Sequence, residues 1–229
     1  MINESDPGSY FGKVRREIEP LLPETVGSVL EIGCGSGGTL GWLKTVRPID
    51  YAAGVEMMPD AGERARANFD DVEISDVNAA SLAFKTDQFD LILALDVLEH
   101  LADPIHTLQR LREKLRPNGL VIASLPNVAH YQVSIPLLFR GRWDYSDEGL
   151  LDRTHLRFFT EKTALAMFRD CGFSIVAVDY TRQFPNVFGL VGLSDRKWRW
   201  YSHSLLRRFV RWPKHLFNFQ FLIAARKTG

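Results

Sequence analysis

Short apolar runs rich in leucine and β-branched residues alternate along the chain with stretches in which apolar residues recur every three or four positions. The runs predict buried strands, and the recurrence predicts amphipathic helices. This alternation is typical of an α/β protein with a largely parallel sheet and crossover helices. The strands are expected at Ser28–Ile32, Tyr51–Glu56, Val72–Ser75, Phe89–Leu95, Leu120–Leu125, Phe173–Asp179 and Phe219–Ala225. The helices are expected at Phe11–Leu22, Gly38–Val46, Asp60–Asn68, Pro104–Leu115 and Glu161–Cys171.

Two segments do not fit this alternation. The first, residues 126–159, follows the fifth predicted strand, and the second, residues 183–215, separates the last two strands. Both are longer than ordinary connections, and loops of this length are often functional. Because segments that leave the carboxyl ends of strands surround the ligand crevice of an open α/β sheet, we expect the first insertion to contact the substrate. The prediction is therefore a single domain over residues 1–229 with two insertions.

Composition and charge narrow the class of protein. The chain has 229 residues, 45% hydrophobic and 24% charged, which suits one globular domain. Lys plus Arg equals Asp plus Glu at 28 each, so the overall charge gives no reason to expect a nucleic-acid partner. Prolines and polar residues interrupt the most apolar window, Leu120–Phe139, so we expect no transmembrane segment. The first residues lack a secretory-signal pattern, and Cys34 and Cys171 lack metal-ligand spacing, so a reducing, cytoplasmic location is expected.

The second insertion is locally basic and aromatic. Lys and Arg are frequent between residues 183 and 214, Asp195 is the one acid there, and tryptophans are interleaved with the basic residues. Three interpretations are open: a lid that attracts the pyrophosphate of a nucleotide sugar, a peripheral contact with an acidic membrane surface, or a packed cap with a solvated rim or a dimer contact. RNA binding is less favoured, because the chain is neutral overall and has no RNA-binding motif.

The sequence VLEIGCGSGG, residues 29–38, places a glycine-rich turn directly after the first predicted strand. Gly33, Gly35 and Gly38 form a G-x-G-x-x-G pattern, which alone is a weak signal of a dinucleotide site. Glu31 changes the interpretation, because a carboxylate at this place would repel a pyrophosphate. It would attract the ammonium and sulfonium groups of S-adenosylmethionine, which carries no phosphate there.

Acidic residues also lie at the ends of the next two predicted strands. Glu56 closes the second strand, where a carboxylate can accept hydrogen bonds from both hydroxyls of a ribose. The ribose hydroxyls of NAD could donate to Glu56 equally well, so an NAD-dependent oxidoreductase is an alternative. Asp76 follows the third strand and could accept the exocyclic amine of adenine, with the backbone N–H of Val77 facing the ring. An ordinary turn residue is the other interpretation of Asp76.

Taken together, VLEIGCGSGG, GVEMM, SDV and FDLILALDVLEHLADP resemble the motifs of the class I S-adenosylmethionine-dependent methyltransferases. LREKLRPNGLVIASLPN is similar to the fifth-strand motif of that family, and FQFLIAA to its closing strand. The resemblance implies a Rossmann-like, seven-stranded mixed sheet of order 3-2-1-4-5-7-6, with the last strand antiparallel and helices on both faces. It implies S-adenosylmethionine as the cofactor. The residues that it places at this cofactor are Glu31, Gly33, Cys34, Gly35, Glu56, Met57, Asp76, Val77, Leu95 and Asp96.

The segment LDVLEH, which leaves the fourth predicted strand, is the first candidate for catalysis, since the resemblance implies that it lines the cofactor and the acceptor. An acceptor that must lose a proton benefits from a positioned base, and His100 is a candidate, with packing against the loop as the alternative. Asp96, Glu99 and His100 are also similar to an E-x-x-E-H set that holds magnesium in some small-RNA 2′-O-methyltransferases. Because Asp replaces the first Glu, and many metal-free members carry a Glu–His pair here, we expect no metal.

The first insertion supplies the second candidate. Residues 141–159 are dense in His, Asp, Arg and aromatic residues, which is unusual for a passive connection. His155 could act as a base that Asp152 orients, and the rings could stack on a sugar. The alternative is a surface loop in which Asp152 pairs with Arg153 or Arg157. The stretch resembles one found in methyltransferases of bacterial surface-polysaccharide and sugar-nucleotide pathways, which implies O-methylation of a sugar hydroxyl.

The first predicted helix precedes the first strand, and in related methyltransferases such a helix covers the cofactor. Tyr10 or Arg15 could then reach the methionine carboxylate, with a packing role as the alternative. The sequence thus predicts an S-adenosylmethionine-dependent methyltransferase that acts on a small molecule, with no nucleic-acid partner. A non-catalytic cofactor-binding partner subunit is a further alternative beside the oxidoreductase, and the pattern predicts no particular oligomeric state.

Overall fold

Seven strands join in one sheet within residues 12–78, 82–183 and 216–229, which are the residues that the computed structural model describes. The strands are β1 (Ser28–Ile32), β2 (Tyr51–Glu56), β3 (Asp71–Ile74), β4 (Phe89–Leu95), β5 (Leu115–Pro126), β6 (Phe173–Arg182) and β7 (Asn218–Lys227). They lie in the order β3-β2-β1-β4-β5-β7-β6. The pairs from β3 to β5 are parallel, whereas β7 is antiparallel to β5 and to β6. The predicted order and the antiparallel last strand are confirmed.

Helices pack on both faces of this sheet, as predicted. The longer helices are α1 (Gly38–Val46), α2 (Pro59–Ala65), α3 (Pro104–Lys114), α4 (Tyr131–Arg140) and α5 (Glu161–Asp170). Successive side chains of a strand point to opposite faces. Val121 therefore joins the apolar cluster that contains residues of α3 and α5, while the next residue, Ile122, joins the cluster that contains residues of α1 and α2. The carboxyl ends of the parallel strands lie together at one edge of the sheet.

Two helices are shorter than the sequence predicts. In place of the helix expected at residues 11–22, the described residues form a 3-10 helix at Arg16–Leu21. Pro20 lies inside it and has no N–H to continue a helical ladder. The helix expected at residues 60–68 is Pro59–Ala65, because proline favours the first turn of a helix and the chain turns toward β3 after this short element.

The first insertion contains a helix that the sequence analysis missed. Helix α4 follows β5, and Pro136 inside it obscures the helical pattern. The insertion then returns to its starting point, since the backbone N–H of Val128 donates to the carbonyl of Phe159 at 2.9 Å. Residues 126–159 therefore begin and end beside the carboxyl end of β5, where the sequence predicted a substrate loop.

Several other expectations concern parts of the chain outside the described residues. These are Tyr10 and Phe11 at the amino end, and the basic and aromatic residues of the second insertion from residue 184 to residue 215. Among the helices that the structure describes, none combines the length and the hydropathy that a bilayer crossing requires.

Candidate active site

The glycine turn after β1 is fixed by the neighbouring strand. The backbone N–H groups of Gly33 and Cys34 both donate to the carbonyl of Val55, at 2.8 and 3.2 Å. Gly33 has a φ of +67°, and a Cβ built there would lie 2.7 Å from Cγ2 of Val97. Glycine is therefore required both by the backbone conformation and by the close approach of the segment after β4. The turn lies at the carboxyl ends of the strands, the usual ligand crevice of such a sheet.

Glu56 connects the end of β2 to this turn. Its Oε2 accepts a hydrogen bond from the backbone N–H of Gly35 at 2.8 Å, and its Oε1 accepts one from the N–H of Met58 at 2.9 Å. The side chain is buried. Each carboxylate oxygen has a second lone pair, so Glu56 can hold the glycine turn and still accept both hydroxyls of a ribose. The bond to Gly35 is a role that the sequence analysis did not predict.

Glu31 lies buried in β1 with an unsatisfied oxygen. Its side-chain Oε2 has no hydrogen-bond partner among the described residues. Burial raises the pKa of this carboxyl to about 8, Arg15 opposes the shift, and the charge of Glu56 adds to it. A buried, unpartnered carboxyl oxygen is costly unless a donor or a positive charge satisfies it. The sequence analysis predicts that the ammonium of a methionine moiety is this group.

Asp96 stands at the end of β4 inside a network of polar side chains. It forms an ion pair with Arg15, and its Oδ1 accepts hydrogen bonds from Ser124 Oγ at 2.6 Å and from Gln220 Nε2 at 2.9 Å. Burial disfavours the charge of Arg15, but Asp96 and Glu17 outweigh it and raise the pKa of the guanidinium. Arg15 therefore contacts Asp96 rather than standing free for a carboxylate ligand. The sequence analysis missed Ser124 and Gln220, although Gln220 is a polar residue inside an apolar strand.

The other residues that the sequence predicts at the cofactor lie at the carboxyl ends of β2 and β4 or in the segments that follow β2 and β3. Asp76 uses Oδ1 to accept from the backbone N–H and the side chain of Asn78, at 2.8 and 3.0 Å, which is the geometry of a turn residue. Val77 is buried, and its carbonyl accepts from Arg110 at 3.1 Å. Met57 is 60% exposed after β2, whereas Leu95 is buried at the end of β4.

The two candidate bases come from separate segments and meet. The rings of His100 and His155 lie 4.7 Å apart between centroids and are inclined at 73°. The substrate loop is held there because the N–H groups of Leu156 and Arg157 donate to the carbonyl of Glu99, at 2.8 and 3.0 Å. Glu99, His100 and His155 each offer one potential ligand atom, and these atoms all lie within 4.8 Å of one another.

Asp152 orients this cluster in a different way from the one that the sequence predicted. It does not reach the His155 ring through a hydrogen bond; its Oδ1 accepts from the backbone N–H and the hydroxyl of Thr154, at 2.8 and 2.7 Å. The Thr154 hydroxyl in turn lies 3.0 Å from Nδ1 of His100. Arg153 pairs with Asp147 and Arg157 donates to the carbonyl of Ala102, in place of the ion pairs with Asp152.

Burial shifts the pKa values of two groups of the cluster, His155 and Glu99. It lowers the pKa of His155, the charge of His100 lowers it further, and the imidazole is therefore neutral near pH 7. Burial raises the pKa of Glu99 well above its usual value, and the charge of Asp96 adds to this shift. The cluster thus consists of two imidazoles and a carboxyl in a poorly solvated place at the end of β4.

The crevice fits S-adenosylmethionine by its own chemistry. The backbone of the glycine turn is open to a ligand at Gly33, Glu56 retains acceptor capacity, and Glu31 presents an unsatisfied buried oxygen. The carboxyls of Glu31 and Glu56 are both buried beside the glycine turn, and negative charge there favours a cationic ligand over a diphosphate.

Comparisons with known proteins agree with this chemistry. A family model described as a methyltransferase domain matches residues 8–178. The chain is similar to a ubiquinone biosynthesis O-methyltransferase of Azorhizobium caulinodans, 34% identical over 122 residues that make up 52% of this chain and 46% of the relative. The corresponding enzyme of Cereibacter sphaeroides is 32% identical over 118 residues, 49% of this chain and 46% of the relative. The chain thus spans about half the length of these curated relatives.

The fold has close counterparts among solved structures. A SAM-dependent methyltransferase from Archaeoglobus fulgidus superposes with a TM-score of 0.62 at 19% identity, covering 92% of this chain and 91% of that chain. This likeness supports the fold, and the family model covers most of the sheet and all the residues of the crevice except Gln220. The chain belongs to the methyltransferase domain family.

Proposed function

We propose that this enzyme methylates a hydroxyl oxygen of a small molecule held between the LDVLEH segment and the substrate loop. The observation that carries the proposal is the meeting of His100 and His155 at the carboxyl end of β4. An alcohol is a poor nucleophile until it loses its proton, whereas an amine at neutral pH needs less assistance. Two imidazoles next to the methyl site are suited to an acceptor that must be deprotonated.

The cofactor side of the reaction rests on the crevice residues. When bound, S-adenosylmethionine supplies a methyl group activated by a positively charged sulfur. Glu31 would face its ammonium, and Glu56 would accept its ribose hydroxyls. Gly33, Cys34 and Gly35 would provide the backbone on which it lies. The remaining contacts that we propose, to the adenine and the rim of the crevice, come from Met57, Asp76, Val77, Leu95 and Asp96.

The acceptor side rests on the two histidines. Nδ1 of His155 lies 3.3 Å from the carbonyl of Leu150, and Nδ1 of His100 lies 3.3 Å from the carbonyl of Thr154. A carbonyl can only accept, so each Nδ1 carries a proton, and Nε2 is the ring nitrogen left to face the acceptor hydroxyl. A ring whose Nε2 is unprotonated can accept the proton of that hydroxyl. Asp96 is a positioning residue, because Arg15, Ser124 and Gln220 already engage its oxygens.

A saccharide is our first candidate for the acceptor. Aromatic rings line the substrate loop beside His155: Trp143 packs edge-on against Phe158 at 5.0 Å, and Tyr145 lies 6.3 Å from the same ring. Trp143 and Phe158 are half-buried and Tyr145 is exposed, so their faces are open to a ligand. Rings of this kind stack on the apolar face of a sugar while charged groups hold its hydroxyls. A sugar pathway would also suit the reducing, cytoplasmic location that the two free, buried cysteines support.

A phenolic hydroxyl is the second candidate. It is favoured by the similarity to proteins named ubiquinone biosynthesis O-methyltransferases, which extends over half of the chain. The same aromatic rings would stack on a phenol. Both acceptors share the chemistry that the histidine pair serves, which is removal of a hydroxyl proton.

Transfer of a labelled methyl group tests the proposal. The purified enzyme is given methyl-labelled S-adenosylmethionine with panels of sugar nucleotides, simple glycosides, catechols and amines. We expect label in a hydroxyl-bearing class, and a loss of at least about a hundredfold in His155→Gln, in line with the usual contribution of a positioned base. His106→Gln, at an exposed position of α3, is the matched control and should keep full activity. Label that enters only amines, at the same rate in both variants, would refute the proposal.

A further inference from the structure

Gln220 is a polar residue in the apolar strand β7, and it lies beyond residue 178, where the match to the family model ends. Alternate residues of a strand share a face, and Leu222 and Ala224, on the face of Gln220, belong to the apolar cluster on the side of α1 and α2. An apolar residue at position 220 would continue that row. Because a half-buried amide is costly unless it forms hydrogen bonds, its partners should explain why a glutamine stands here.

Both ends of the Gln220 amide contact the ion pair between Arg15 and Asp96. Its Nε2 donates to Oδ1 of Asp96 at 2.9 Å, and its Oε1 accepts from Nη2 of Arg15 at 3.4 Å. The same Oδ1 accepts from the Ser124 hydroxyl at 2.6 Å, so both of its lone pairs are engaged. Oδ2 pairs with Nη1 of Arg15 and keeps one lone pair. Gln220 therefore fixes the carboxylate of Asp96 from one side without adding a charge to the pair.

Acidic groups are in excess around this ion pair. Arg15 pairs with Asp96 and also with Glu17. Arg15 and Glu56 both lie close enough to Glu31 to shift the pKa of its carboxyl, in opposite directions. In this network Arg15 is the cation, whereas the other four residues are acidic. The network therefore carries negative charge that a cationic ligand can compensate.

A glutamine preserves this negative charge, whereas a basic residue would cancel part of it. A lysine at position 220 could also donate to Asp96, but its own charge would compensate the carboxylate. S-adenosylmethionine carries a positive sulfonium, and S-adenosylhomocysteine, which is left after methyl transfer, carries a neutral thioether. The charge that Asp96 keeps thus attracts the methyl donor more strongly than the product.

We propose that Gln220 is a positioning residue that sets how strongly the crevice prefers S-adenosylmethionine to S-adenosylhomocysteine. It holds Asp96 as a neutral donor, so the carboxylate keeps its attraction for the sulfonium. The product lacks the positive charge and is released more easily for that reason. The inference rests on the cofactor side of the proposed function, and it does not depend on which hydroxyl is methylated.

Titration calorimetry with the two ligands tests the inference without any acceptor. The quantity measured is the dissociation constant of S-adenosylhomocysteine divided by that of S-adenosylmethionine. Gln220→Lys keeps a donor for Asp96 but adds a positive charge, so we expect this ratio to fall by at least about fivefold. Gln220→Met removes the hydrogen bonds without a change of charge and should weaken both ligands alike. Gln109→Lys, at an exposed position of α3, is the matched control and should leave both dissociation constants unchanged.

The outcomes separate this inference from the proposed function. If Gln220→Lys lowers both affinities by the same factor, its role is structural only, and the inference is refuted while the proposed function stands. Asp96→Asn removes the charge itself and should also lower the ratio, so an unchanged ratio in Asp96→Asn refutes the inference even if the Gln220 variants do not fold. Wild-type protein that binds neither ligand would overturn the inference together with the proposed cofactor. The expected ratios without transfer of label to any hydroxyl would refute the proposed function and leave the inference standing.

Discussion

Arg15 forms an ion pair with Asp96 and so joins the amino-terminal segment to the carboxyl end of β4. Arg15 is 6% exposed and also pairs with Glu17. Asp96 has a φ of +56°, in the left-handed region that few residues other than glycine adopt. The ion pair, together with Ser124 and Gln220, therefore holds the strained residue from which the LDVLEH segment leaves the sheet.

Replacing Arg15 with Met should destabilise the enzyme and loosen this segment. The substitution leaves the carboxylates of Asp96 and Glu17 without their cation. Loss of one partner of a buried ion pair costs about 3 kcal/mol or more, and we expect about 2–3 kcal/mol here because Asp96 is partly exposed. Urea denaturation measures the loss. Arg66→Met, which removes an exposed pair with Glu63, should cost under about 0.5 kcal/mol, and equal losses in the two variants would contradict the prediction.

Glu56→Gln should weaken the glycine turn and the cofactor site together. A glutamine side chain offers one oxygen where glutamate offers two. Its amide N–H group must therefore face the backbone N–H of either Gly35 or Met58, and two donors then point at each other. We expect a loss of about 1–3 kcal/mol in unfolding free energy, the cost of an unsatisfied buried donor, and weaker binding of S-adenosylhomocysteine in calorimetry. Glu63→Gln on the exposed face of α2 is the control. Unchanged binding in Glu56→Gln would count against its place at the cofactor.

The raised pKa of Glu31 predicts a pH dependence of stability. Its pKa rises from an ordinary 4.5 to about 8, so the folded protein holds a proton that the unfolded chain has lost. The stabilisation from this group is present below pH 4.5 and disappears as the pH rises through 8. The cofactor-free wild-type enzyme should therefore lose stability relative to Glu31→Gln between pH 5 and 8, as measured by thermal denaturation at each pH.

The raised pKa of Glu31 also predicts that cofactor binding releases a proton from this carboxyl. A cationic ligand favours the ionised carboxylate and lowers its pKa. Calorimetry near pH 7, repeated in buffers of different ionisation enthalpy, should show release of up to one proton per S-adenosylmethionine bound. Glu31→Gln should show none, and equal release in both proteins would exclude Glu31 as the source.

Gly33→Ala should be more harmful than Gly141→Ala, although both glycines have a similar positive φ. The angles are +67° and +61°, so the backbone strain is alike and costs about 1–2 kcal/mol in each. A Cβ at Gly33 also meets Val97 at 2.7 Å, whereas nothing lies within 4 Å of one at Gly141. The difference in unfolding free energy between the variants isolates the steric clash. Equal destabilisation of the two variants would mean that Val97 moves away from the added methyl group at no cost in free energy.

The sheet could be predicted because its determinants are local. The apolar run of β1 contains Glu31 and is followed by Gly33, β2 ends in Glu56, and β4 is followed by Asp96. Since parallel strands place their carboxyl ends at one edge, the strand pattern brings together the residues that we propose at the cofactor. Their hydrogen bonds do not follow from it, as the bond between Glu56 and Gly35 shows.

The acceptor side could not be predicted in the same way. The contact between His100 and His155 depends on how residues 126–159 fold back, which involves helix α4 and the hydrogen bond between Val128 and Phe159. No local pattern encodes such a return. The contact of Arg15 with Asp96 likewise joins residues that are far apart in sequence. It depends on where the 3-10 helix after Arg15 lies, and the hydrophobic pattern predicted a longer α-helix there.

The position of β7 has a consequence for biosynthesis. This strand comes last in the sheet along the chain, yet it lies between β5 and β6 and carries Gln220 to Asp96. While the ribosome still holds residues 218–227, β6 has no neighbour in the described sheet to pair with, and Asp96 lacks one of its donors. Chains interrupted before this point would expose unpaired edges of β5 and β6, and such edges can pair with other chains and aggregate.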